Sequence, residues 1–102
     1  MALDMAVLGA DGSPELCLPI GMRTHDQLIE EASRLNCALV LRMNDYFEDA
    51  DFSPVEIEGL IGEATRIAES TTDDALRAWI FKFTELAGSE LARKRGIAVI
   101  AD

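Results

Sequence analysis

Few side chains in this sequence have the types needed for acid–base or nucleophilic chemistry. His25 is the sole histidine, and Cys17 and Cys37 are the only cysteines. A catalytic histidine needs a nucleophile and an orienting acid within hydrogen-bond reach. Asp26 is adjacent, but no spacing ties it and the two thiols to His25 as a working group. The cysteines do not form a Cys-x-x-Cys pair, so disulfide exchange has no sequence support. One histidine with two distant cysteines falls short of a four-ligand zinc site. Gly9-Ala10-Asp11-Gly12 precedes a turn and lacks the lysine of a phosphate loop. The expectation is a non-enzymatic protein with no catalytic residue, no cofactor and no resident metal.

Carboxylates are plentiful instead. Asp45, Glu48, Asp49, Asp51, Glu56, Glu58 and Glu63 fall between Met43 and Thr65, with no Lys or Arg in that window. A calcium loop beginning at Asp45 would put Phe47 where an oxygen ligand is required and Ala50 where the turn requires glycine, so that pattern fails at two positions, and adventitious divalent-ion binding by the acids stays open. Tyr46, Phe47 and Phe52 are set among the acids. Fixed aromatics supply contact area at low entropic cost, and clustered charge sets encounter rate and partner choice. Two readings stand side by side: Phe47 and Phe52 anchor a solvated loop, or the loop is a docking surface. On the second, Asp45, Tyr46, Glu48, Asp49 and Asp51 form the partner-binding face, and His25 flanks it as a surface residue in the first turn of a helix.

The whole composition points the same way. Nineteen Asp and Glu against nine Lys and Arg give 102 residues a formal net charge of −10. Such a field repels nucleic acid and anionic lipid and favours a basic partner. With 49% hydrophobic and 27% charged residues the chain has the apolar content for a core, and its length fits one domain over residues 1–102. No apolar run approaches the ~18 residues of a membrane helix, and Met1-Ala2-Leu3-Asp4 lacks the basic start of a secretory signal. The expected compartment is the cytoplasm, with both thiols reduced.

The elements that must position these groups are legible in outline. Alternation predicts a strand over Leu3–Leu8. The turn formers Ala10-Asp11-Gly12-Ser13-Pro14 lead to a second strand over Leu16–Ile20, making a hairpin. Pro19 has no N–H to donate, which puts this strand at a sheet edge. A helix is expected from Thr24, which caps it with Gln27, through Leu28, Ala32 and Leu35 to Asn36. Ala38–Met43 is either a strand or a helical turn, and Asn44–Ser53 reads as a polar loop. Ser53-Pro54-Val55-Glu56 is a capping box that opens a helix with the stripe Ile57, Leu60, Ile61, Ala64, Ile67 and Ala68.

Within that helix, Gly59 and Gly62 imply close approach of another backbone, or a loose turn. A last helix is expected from a Thr71 or Thr72 cap through Trp79, which reads as core, and Leu91 to Arg93-Lys94-Arg95 and Gly96. Ile97–Ala101 is then a strand expected to pair with the first. The fold class is α+β: a small antiparallel or mixed sheet, made of the N-terminal hairpin and the C-terminal strand, covered by about three helices.

Two segments, Ile20-Gly21-Met22-Arg23-Thr24-His25-Asp26-Gln27-Leu28 and Leu41-Arg42-Met43-Asn44-Asp45-Tyr46-Phe47-Glu48-Asp49, resemble stretches of small acidic bacterial proteins of the immunity type. The resemblance covers the first half of the chain. It implies stoichiometric binding and blocking of a toxin rather than turnover. Toxins that cut nucleic acid are commonly basic where they grip phosphates, which an acidic surface mimics. The alternative expectation is a structural or assembly subunit, most simply a homodimer, because a short sheet leaves an edge open.

Overall fold

In the computed structural model, which describes residues 3–101, the hairpin forms as expected. Strand β1 spans Leu3–Leu8 and strand β2 spans Pro14–Ile20, antiparallel, with a register shift between Val7 and Leu8. Helix α1 runs Met22–Leu35 and ends at Asn36 in the left-handed conformation. It starts two residues before the expected Thr24. Gly21 is the N-cap with no side-chain bond, and the His25 N–H closes the first turn on the Gly21 carbonyl, so no capping box forms at Thr24. The ambiguous Ala38–Met43 run holds a 3-10 turn over Val40–Met43.

The expected polar loop is shorter than its sequence suggests. Strand β3 spans Ala50–Phe52 and pairs with the last strand. Three residues are too few for periodicity to register. The Ser53–Glu56 capping box is present, and its first turn is 3-10, over Pro54–Glu56, before helix α2 over Ile57–Ser70. A Cβ on Gly59 would meet the Leu39 Cδ1 at 2.9 Å, so a side chain rather than a backbone approaches there, and Gly62 has open space.

The expected last helix is two helices, α3 over Asp74–Ala87 and α4 over Glu90–Arg95. Asp73, not Thr71 or Thr72, caps α3 by accepting from the Leu76 N–H at 3.0 Å. The break falls at Gly88-Ser89, where Ser89 caps α4 through the Ala92 N–H. Strand β4 spans Ile97–Ala101 and pairs antiparallel with β1, as expected.

The result is an α+β fold with a four-stranded antiparallel sheet in the order β2-β1-β4-β3. One face of the sheet (Leu3, Met5, Val7, Ile20, Phe52, Ile97 and Val99) is buried with Leu28, Leu60, Ile67, Leu76, Ile80 and Phe83 of the helices. β2 is an edge strand, and at Pro19 that edge is closed. Proline supplies no donor, and its carbonyl accepts from the Trp79 indole N–H at 2.9 Å. Trp79 itself is core, stacked on Phe83 at 5.2 Å. Among the described residues no helix is long and apolar enough to cross a membrane.

Candidate functional site

The segment from Asn44 to Asp49 runs across one end of the sheet and is held at both of its ends. At the first, the Tyr46 hydroxyl donates to the carbonyl of Ile20, the last residue of β2, at 2.9 Å. At the second, the Asp49 carboxylate accepts from the N–H of Ala101, the last residue of β4, at 2.7 Å. Between them, Asp45 accepts from the Phe47 N–H at 2.9 Å and rounds the turn. From beneath, His25 Nε2 lies 2.8 Å from the Met43 carbonyl. A carbonyl only accepts, so that nitrogen carries the proton. The other ring nitrogen, Nδ1, is buried with no hydrogen-bond partner among the described residues.

These bonds correct two expectations. His25 is only 2% exposed and Tyr46 only 9%, so neither offers a side chain to a partner. The helix starts before Thr24, which turns His25 toward the core. The two rings meet edge-on at 5.1 Å, and Tyr46 in turn meets Phe47 at 5.6 Å. His25, Tyr46 and Phe47 thus form a column from the core to the surface. Phe47 stands at its outer end, 56% exposed. The loop aromatics therefore divide: Phe52 anchors the chain in the core, and Phe47 does not. Sequence reasoning left Phe47 and Phe52 together, because only the pairing of β3 distinguishes them.

The seven acids of the window divide as well. Glu56 pairs with Arg42, whose guanidinium also donates to the Asp51 carbonyl at 2.6 Å and lies over the Phe52 ring at 4.8 Å. The Ser53 N–H first, and Arg42 next, hold the Glu56 carboxyl below its ordinary range. Glu58 pairs with Arg93. Glu63 accepts from the Val40 and Leu39 N–H groups at 2.9 and 3.3 Å, covering the start of the 3-10 turn. Those three carboxylates serve the fold. Asp45, Glu48, Asp49 and Asp51 are all exposed, and among the described residues none is paired with a Lys or Arg. The arrangement is an exposed aromatic in a concentration of unneutralised carboxylate on a tethered loop.

The two thiols sit in different settings. Cys37 is buried, and burial first, with Glu63 second, pushes its thiol up. Cys17 lies on the exposed side of β2. Among the described residues, two surface recesses stand out. One, of about 400 Å³, lies between α2 and α3, where Phe81 is 68% exposed. The other, of about 300 Å³, lies where α4 turns into β4. Neither is lined by His25 or a cysteine. Among the described residues no three His, Cys, Asp or Glu side chains converge as a metal would require. Comparison of this chain with protein-family models, with curated proteins and with solved structures gave no match.

Proposed function

We propose that this protein is a non-enzymatic, acidic protein-binding domain of the immunity type, which blocks a basic toxin by occupying its cationic surface. The contact face comprises Phe47, Asp45, Glu48, Asp49 and Asp51. Tyr46 and His25 act from below, holding the loop in its bound shape. One observation carries the reading: three carboxylates and an exposed phenylalanine share a tethered loop, a fourth carboxylate, Asp51, follows on β3, and the chain's own arginines leave all four unneutralised. A held loop loses little entropy on binding, unpaired charge steers a cationic partner, and an aromatic anchor ringed by polar groups is the usual form of a binding hot spot.

The test is kinetic. The partner is captured from the native cell, identified, purified and mixed with the protein by stopped flow over a range of salt concentrations. Among the described residues the Glu48 and Asp51 side chains make no hydrogen bond, so replacing both by lysine reverses the local field without breaking one. It should slow association about tenfold or more at low salt and flatten the salt dependence. Phe47→Ala should speed dissociation. Association rates indifferent to Glu48→Lys/Asp51→Lys would refute the proposal.

A further inference from the structure

The recess of about 400 Å³ between α2 and α3 falls in the size range of small-molecule sites, and the space between packed helices is a common place for one. Its apolar wall is Ala68, Ile80 and Phe81. On α3 the stripe Leu76, Trp79, Ile80 and Phe83 is buried, and Phe81 stands off it, 68% exposed. A lone exposed ring is ordinary on a protein surface. A ring that lines an apolar recess is contact area for a ligand.

The polar groups of the wall are sorted by role, and the donor groups are turned to the chain's own acceptors. The Thr65 hydroxyl donates to the Ile61 carbonyl at 2.9 Å, and the Thr84 hydroxyl to the Phe81 carbonyl at 3.0 Å. Each of the three Arg77 side-chain nitrogens is engaged. Nε donates to the Ala68 carbonyl at 3.3 Å, Nη2 to the Thr71 carbonyl at 2.6 Å, and Nη1 to the Asp74 carboxylate at 2.8 Å. Asp74 thereby offsets the Arg77 charge. What the wall leaves unused is an acceptor. Glu69 lines the recess, and among the described residues its carboxylate makes no ion pair and no hydrogen bond.

We propose that this recess binds a small organic cation, an apolar body carrying a primary ammonium. Ala68, Ile80 and Phe81 cover the body, and Glu69 accepts from the ammonium. The two threonine oxygens retain lone pairs on the same wall, and an exposed aromatic ring attracts a cation to its face. An anion of the same shape would face the Glu69 charge and find no donor group that is not already engaged. No residue of the Asn44–Asp49 loop lines the recess, so this site stands or falls apart from the toxin-blocking reading.

Amide NMR titration of the full chain tests it with three compounds that share one apolar body: phenylbutylammonium, phenylbutanol and phenylbutyrate. Phenylbutylammonium should shift the Ala68, Glu69, Phe81 and Thr84 amides with a Kd of about a millimolar, the scale for so small a ligand in an open recess. Phenylbutanol should bind about twofold to fivefold more weakly, the scale of one exposed ion pair, and phenylbutyrate more weakly still. Phe81→Ala should weaken the ammonium at least about fivefold. Glu69→Lys should reverse the order and favour phenylbutyrate, which misfolding would not produce. The proposal is overturned by shifts that map to Asp45–Asp51 instead, by wild-type protein that takes ammonium and carboxylate equally, by an order of preference that survives Glu69→Lys, or by no saturable shift at several times the expected Kd.

Discussion

Replacing Tyr46 by phenylalanine removes one oxygen and leaves the ring column intact, which isolates the tether of the acidic loop. The hydroxyl donates to the Ile20 carbonyl at 2.9 Å in a buried setting. A typical internal hydrogen bond contributes about 1 kcal/mol net, and a buried carbonyl left without its donor raises the cost, so Tyr46→Phe should destabilise by about 1–2 kcal/mol. For a chain of this length that corresponds to a fall in Tm of about 5–10 °C. The measurement is thermal and urea unfolding by circular dichroism, with the urea slope unchanged because the same surface is exposed. Phe47→Ala, one residue along, is the control: its ring is 56% exposed, and surface changes of this kind usually stay within about 0.5 kcal/mol. The reasoning is refuted if Tyr46→Phe melts like the wild type, or if Phe47→Ala costs as much.

Gly96 has φ of +79°, and a Cβ there would collide with the Phe52 carbonyl oxygen, so Gly96→Ala should cost more than about 2 kcal/mol. Gly12→Ala, at φ +83° in open space, should cost about 1 kcal/mol or less by the same urea titration. The Glu56 carboxyl is held below its ordinary value when folded. Over that acid window the unfolded state binds more protons, so stability falls as pH drops through the folded pKa, and Glu56→Gln should flatten the decline measured by melting between neutral pH and about pH 3. Cys37 is buried with its thiol pushed up. Alkylation by iodoacetamide at neutral pH, followed by mass spectrometry, should modify Cys37 only as fast as the protein unfolds, and rapid labelling of the native state would contradict that.

The sequence carried the elements whose signals are local. Alternation marked β1, Pro19 marked an edge, Asn36 marked a helix end, and Ser53 with Glu56 marked a helix start. What it did not carry was decided at a distance. β3 is three residues long and exists because Ile97–Val99 offers it a partner. The α3–α4 break at Gly88-Ser89 was written in a glycine and a capping serine, but an uninterrupted run of apolar spacing through Leu91 masked it. The burial of His25 follows from a helix that begins at Met22 without any side-chain cap to announce it. The acidic window was visible by composition. Its division into structural and exposed carboxylates was not, because Arg42 and Arg93 reach Glu56 and Glu58 from outside the window.

The two inner strands of the sheet are the earliest and the latest elements of the chain, with Leu3 opposite Ala101. The buried side of β1 waits for β4, so the core closes only after the helices between them have been made. That closure spans residues 3–101, yet its entropic cost grows only with the logarithm of the loop it seals. Because Leu3 and Ala101 lie opposite each other, a short bridge joining β4 to β1 with a new opening at the exposed Asp11–Ser13 turn should give a circular permutant that keeps the same strand order.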